Sequence, residues 1–331
     1  MGKLKIASIF TGCGGMDLGI QGGFNFLDKR YSKQSVEIVF ANDIEKSACE
    51  IFGKNFNCKI ENKDIKKIPS SEIPDHDILI AGFPCQPFSI VAQNPPRIGI
   101  ESEIGQLFFE LVRILKDKKP SCFIAENVKG ILSANGGKAF DLIIKELENA
   151  GYVLNYQVIN SQNFGVPQKR ERVFIVGFKK ELGLKPEIDE PTENIIPLKK
   201  ILEKENSIEK KYYFSERAVE GLKRANPRMN KGRNQNIDHP CSTVGSHLAK
   251  VSLNSTDPVL KENGKYRRFT PREVARIQSF PENFVLTNFE GKQYRALGNA
   301  VPPVVMWHIS KKIIHQLKVK MNQNVILVNT K

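Results

Sequence analysis

The feature that most constrains this chain is an alternation running through its first half. Apolar runs of strand length, Lys5 to Phe10, Val36 to Ala41, Ile78 to Ala81, Cys122 to Glu126 and Leu154 to Ile159, are separated by stretches with helical spacing. A strand that is apolar at nearly every position must be covered on both faces, and intervening helices supply that cover. The pattern therefore predicts βαβ units feeding a mainly parallel sheet. Leu107, Phe108, Leu111, Ile114 and Leu115 mark one helical face, which Lys116, Lys118, Lys119 and Pro120 bring to an end. Phe140, Ile143, Ile144 and Leu147 mark another, closed by Gly151, and Arg172 to Phe178 reads as a further strand.

From about Pro186 the periodicity fades into a segment rich in Lys, Glu, Asn and Pro. Regular structure resumes at Thr270-Pro271, an N-cap followed by proline at the first helical position, and in a C-terminal helix from about Val304 to Leu317. The expected division is an α/β unit of residues 1–185 with 289–331, and a smaller unit of residues 186–288. Met321 to Lys331 reads as a frayed tail, or as one more strand through VILV.

With 331 residues, 40% of them hydrophobic and 26% charged, the chain can bury a full core. No run reaches the 18 or so apolar residues of a membrane span, and MGKLKIASIF is too short for a signal peptide, so a cytoplasmic protein is expected. The six cysteines are scattered, with no CxxC pair and no histidine at zinc-ligand spacing, so neither disulfides nor a metal site is expected. The net charge of +14 favours a polyanionic partner, and half of it lies between Lys223 and Arg268, where ten Lys and Arg face only Asp238, Asp257 and Glu262.

The first strand runs into FTGCGG, Phe10 to Gly15, and glycines at such a strand-to-helix turn let backbone amides approach a ligand. The spacing departs from the GxGxxG dinucleotide fingerprint, which weighs against a pyrophosphate. Asp43 in FAND follows the second strand, where a carboxylate commonly grips ribose hydroxyls, and Asp64 precedes the next, so a nucleoside without phosphates fits both; either acid seen alone is more often a helix cap or a solvated charge. Cys85, in AGFPCQPFS, stands at the carboxyl end of a strand, where open α/β sheets hold ligands. A lone cysteine is usually a small buried hydrophobe, but Pro84 and Pro87 fix the backbone in a way that suits an aimed nucleophile. Glu126 ends the following strand and could protonate a substrate nitrogen if burial raises its pKa. Gln168-Lys169-Arg170-Glu171-Arg172 brings cations to a third strand end.

The ordered set FTGCGGMDLG, FAND, GFPCQPFS, ENV, QKRER, RRFTPREVARIQSFP and GNAVPP resembles the bacterial cytosine-5 DNA methyltransferases, from Lys5 to about Leu317 with an interruption from Pro186 to Lys265. The resemblance implies a Rossmann-like α/β domain with a mixed, mainly parallel sheet that binds S-adenosylmethionine, plus a smaller target recognition domain. It implies that Phe10, Gly12, Gly14 and Gly15 form the cofactor turn, that Asp43 binds ribose, that Ile44 and Asp64 contact adenine, and that Phe83, Asn299, Ala300 and Val301 line the same pocket. Cys85 resembles the family's nucleophile, Glu126 its acid and Arg172 its active-site arginine, with Gln168 and Arg170 in support. The resemblance also sets Thr243-Val244, similar to a short Thr-Leu element, near the target base; by their residue content, Arg224, Arg228, Lys231 and Arg233 in RANPRMNKGRNQN suit the phosphates and base edges of double-stranded DNA, with Arg97 in the loop after Cys85 as a further contact.

These residue types suit the chemistry, because carbon 5 of cytosine is a poor nucleophile until a thiolate adds at carbon 6 and an acid protonates nitrogen 3. Stacking blocks both faces of a paired base, so the cytosine must be flipped out. What is implied is a cytoplasmic, nucleoid-associated monomer forming the modification half of a restriction-modification system, with a possible cognate endonuclease. One departure is Ile104 in ESEIGQLFFE, where the family carries an arginine, with Arg97 as a substitute. The alternative is an RNA cytosine-5 methyltransferase of the same fold, such as one directed at tRNA, against which the long basic insertion stands.

Overall fold

A computed structural model describes residues 2–84, 105–188, 191–224, 233–250, 257–287 and 289–329. Cys85, Arg97, Ile104, Arg228 and Lys231 lie outside the described residues.

The first strand, β1 (Leu4–Ile9), leads through the glycine turn into α1 (Gly15–Gln21) and a short hairpin, β2 (Phe24–Phe26) with β3 (Lys29–Tyr31). Then come β4 (Val36–Asn42), α2 (Lys46–Asn55), β5 (Ile60–Glu61), β6 (Ile78–Gly82), α3 (Gly105–Lys118), β7 (Cys122–Val128), α4 (Lys138–Asn149) and β8 (Tyr152–Asn160). After β9 (Gln168–Lys169) and β10 (Glu171–Lys179), the chain holds α5 (Glu216–Arg224), β11 (Cys241–Ser242) and a hairpin of β12 (Leu260–Glu262) with β13 (Lys265–Arg267). Three helices follow: α6 (Pro271–Ile277), α7 (Glu290–Asn299) and α8 (Pro303–Asn329).

The central sheet runs β5-β4-β1-β6-β7-β10-β8. Its first five strands pair in parallel, and β10 is antiparallel to both neighbours. The order reverses about β1, so loops leaving β1 and β6 diverge and open a crevice at their carboxyl ends. Isoleucines Ile6, Ile78, Ile80 and Ile124 are buried on one sheet face and Ala7, Leu79, Ala81 and Phe123 on the other, as expected of strands covered on both sides.

On the first face the core is continuous with residues far along the chain: Val244, Phe269, Ile277, Leu297 and Met306 join Ile6 and Ile20 in one hydrophobic cluster. Helix α6 starts on a capping box, in which Thr270 accepts from the Glu273 amide while the Glu273 carboxylate accepts from the Thr270 amide. The C-terminal helix extends well past Leu317, which corrects the expectation of a frayed tail or strand from Met321: the backbone stays helical to Asn329. Between Pro186 and Thr270 most ordered pieces are 3₁₀ turns and two- or three-residue strands.

Candidate active site

The glycine turn takes its shape from left-handed backbone at Phe10, Gly12 and Gly14, with φ of 54°, 60° and 92°. A non-glycine residue in that region is uncommon, so Phe10 marks a constrained corner. The turn is pinned to the next strand: Thr11 donates its amide to the Asn42 carbonyl at 3.1 Å, and Gly12 donates to the Asp43 carboxylate at 2.7 Å. Asp43 also accepts from the Glu45 amide at 2.8 Å, and burial raises its pKa. A side chain on Gly12 would meet no atom within 4 Å, so the turn borders open space there. Ile44 is 70% exposed beside Asp43, an apolar surface at the rim of that space. Asp64 caps a 3₁₀ turn, accepting from the Lys66 amide at 3.1 Å, and Asn42 holds the chain just before it through the Lys63 carbonyl at 2.9 Å.

The C-terminal segment returns to this turn. A Cβ on Gly15 would lie 2.2 Å from the Val301 carbonyl oxygen, so only glycine allows the two backbones to approach. Ala300 and Val301 are buried, and Asn299 is exposed at the end of α7. Arg295, one turn before, pairs with Glu45 at 3.0 Å and ties α7 to the Asp43 loop. Beneath the turn Asp17 is fully buried, and neither carboxylate oxygen has a hydrogen-bond partner. Burial, with Asp43 adding and Ser8 opposing, lifts its pKa to about 7.

One strand over, Gly82 and Glu126 face each other across the β6–β7 pair. A Cβ on Gly82 would stand 3.6 Å from a Glu126 carboxylate oxygen. Arg172, entering on the antiparallel strand β10, sets its Nε 3.2 Å from the other oxygen. Burial raises the Glu126 pKa, while Arg172 and then Arg170 oppose the rise. Asn127 donates to the Phe83 carbonyl at 3.0 Å and so fixes the lead into Pro84 and Cys85.

Arg170 is buried and donates to the Val244 carbonyl at 3.2 Å; burial and the neighbouring Arg172 lower its pKa, yet a guanidinium remains charged. Parallel pairing of β11 with β9 sets Thr243 and Val244 beside the QKRER strand end, and Thr243 donates to the Lys169 carbonyl at 2.8 Å. Thr243 is exposed and Val244 fully buried, which corrects the expectation that both meet DNA: Val244 anchors the turn that presents Thr243. Arg233 is corrected likewise, since only 4% of it is exposed and its Nε donates to the Asp257 carbonyl at 3.1 Å. Arg224 ends α5. A cleft of about 550 Å³ is lined among others by Lys129, Asn160, Lys169, Arg172 and Thr243.

Sequence reasoning missed Arg295, Glu45 and Gln278. Gln278 stood in the quoted RIQSFP run, but its partners are set by folding and leave no local signal.

A family model described as "C-5 cytosine-specific DNA methylase" matches residues 4–315. The chain is 36% identical over 347 residues to "Type II methyltransferase M.NgoFVII" of Neisseria gonorrhoeae, covering 94% of this chain and 87% of that one. It is 32% identical to "Type II methyltransferase M.Bsp6I" of Bacillus sp. (strain RFL6), covering 94% and 98%. Among solved structures, the Entamoeba histolytica methyltransferase EhMeth superposes with a TM-score of 0.77 at 19% identity, covering 96% of this chain and 99% of that one, a likeness of fold. With the matched model spanning nearly the whole chain, this chain belongs to the family of C-5 cytosine-specific DNA methylases.

Proposed function

We propose that the protein methylates carbon 5 of a cytosine flipped out of duplex DNA, with Cys85 as nucleophile and Glu126 as acid, as the modification half of a restriction-modification system. The observation that carries the assignment of roles is the buried Glu126 carboxyl, held by Arg172 at 3.2 Å and facing the Gly82-Phe83 lead into Cys85.

S-adenosylmethionine, when bound, supplies a methyl group on a sulfonium. The open turn at Gly12, the adjoining Asp43 carboxylate and the exposed Ile44 side chain fit its nucleoside, with Phe83, Asp64 and Asn299 to Val301 around it. The Cys85 thiolate adds to carbon 6, and the Glu126 O–H donates its proton to nitrogen 3, leaving an enamine whose carbon 5 takes the methyl. Nitrogen 3 then returns its proton to Glu126, carbon 5 gives up its hydrogen to water, and the carbon–sulfur bond breaks to release Cys85. Burial keeps Glu126 protonated to higher pH than an ordinary glutamate, and Arg172 limits that rise and steadies the carboxylate it leaves behind. Residues 186–288 act as the target recognition domain, with Thr243 at the target base and Arg97, Arg224, Arg228 and Lys231 on DNA, in a monomeric enzyme.

Tritium transfer from labelled S-adenosylmethionine to duplex DNA, with tRNA as the competing acceptor, tests the reaction. Label is expected in DNA alone, and transfer to tRNA alone would replace this reading. Duplex carrying 5-fluorocytosine is expected to trap a covalent adduct with wild type and none with Cys85→Ala; an adduct retained by that variant moves the nucleophile elsewhere.

A further inference from the structure

A line of buried contacts joins the recognition turn to the cofactor segment without passing through the reacting groups. Gln168 accepts the Val244 amide at 2.9 Å and donates to Gln278 Oε1 at 2.7 Å. Gln278 donates onward to the carbonyls of Leu297 at 2.6 Å and Ala300 at 3.3 Å. Both glutamines are fully buried. Beside them the two segments touch directly: a Cβ on Gly298 would lie 2.2 Å from the Gly245 carbonyl oxygen. Gly245 follows Thr243-Val244, and Ala300 precedes the Val301 carbonyl that packs on Gly15 of the cofactor turn.

We propose that Gln278 is a positioning residue through which methyl-donor occupancy and DNA engagement strengthen each other. The proposal rests on the assignment above of Thr243 to DNA and of Asn299 to Val301 to the cofactor. A primary amide at full burial cannot exchange its partners for water, so displacing either turn strands a donor or an acceptor. The Thr243-Val244 turn and the Leu297–Ala300 turn therefore hold their places together. Ordering one by its ligand removes part of the ordering left to the other, and the coupling must be equal in both directions.

The test measures Kd of the full chain for a methylatable duplex with and without S-adenosylhomocysteine, which cannot transfer a methyl group. Wild type is expected to bind DNA about tenfold tighter with S-adenosylhomocysteine present, within the usual range for coupled sites. Gln278→Leu is expected to lose that tightening while still binding each ligand separately. Gln278→Glu provides a readout that simple destabilisation does not move. Its neutral carboxyl can donate to Leu297 whereas its carboxylate cannot, so tightening returns as the pH is lowered, a trend absent from wild type. The proposal is overturned if wild type shows no tightening, if Gln278→Leu keeps the wild-type ratio, or if the Glu variant shows no recovery at low pH. Should Gln278→Leu fail to fold in a thermal melt, the Glu variant decides alone. A wild-type protein that binds duplex but shows no coupling sinks this inference only, whereas one that neither binds duplex nor labels it sinks the reading beneath it as well.

Discussion

Glu126 and Asp17 are two buried acids whose burial has opposite uses. Glu126 has Arg172 at 3.2 Å and a raised pKa, so its neutral form persists to higher pH, and that is the form a proton donor needs. Methyl transfer that depends on it declines as pH rises through that pKa. Glu126→Gln is expected to lower kcat by about 10²–10⁴-fold, the usual worth of a placed acid, and to flatten this limb of a kcat-against-pH profile. Asp17 is fully buried, and its pKa of about 7 stands far above the ordinary value of 3.8. Because the folded-state value is the higher one, its contribution to stability is complete below about pH 4 and is lost as pH rises toward about 7. Asp17→Asn should therefore gain on wild type as pH rises from about 4 to about 7, by at most about 4 kcal/mol at roughly 1.4 kcal/mol per unit, as read by denaturant unfolding. Equal pH slopes for the two proteins would show that Asp17 is already satisfied. Glu126 was legible in the sequence because a carboxyl at a strand's end is a local pattern. The inward turn of Arg233 and Val244 was not, because composition alone does not reveal which side chains of a basic segment face the interior.

At the scale of elements, the six longest strands were legible to within one or two residues because largely apolar runs with turn residues at their ends have few other places to go, whereas the two- and three-residue strands left no such run. The same holds for α6, whose Thr270-Pro271 start became a capping box. The segment from Pro186 to Thr270 resisted reading because contacts between distant backbones hold much of it, such as the Leu198 amide on the His239 carbonyl at 3.0 Å, and these leave no periodicity. The joint between α1 and the segment before α8 is a demanding contact between elements. Gly15→Ala places a methyl 2.2 Å from the Val301 carbonyl, and overpacking of that kind costs about 1–3 kcal/mol. A lower melting temperature is expected, together with a weakened Kd for S-adenosylhomocysteine by calorimetry. Unchanged values in both would mean that the two backbones separate freely.

At the scale of the whole molecule, charge and topology set behaviour that no single residue controls. A net charge of +14 makes DNA association a matter of counterion release. The logarithm of the binding constant is expected to fall linearly with the logarithm of salt between about 50 and 200 mM, with Lys129→Ala reducing the slope by about one if that lysine meets a phosphate in the cleft. A slope unchanged in that variant would take Lys129 off the DNA. The contact between Gly15 and Val301 also has a meaning in time. The glycine turn and the segment that packs on it lie 286 residues apart in the chain, so a ribosome makes the turn long before its partner. Until the later segment has emerged, the turn lacks the Val301 backbone that packs on Gly15. A chain cut short before Val301 is therefore expected to keep its strand ends while leaving the glycine turn without that contact.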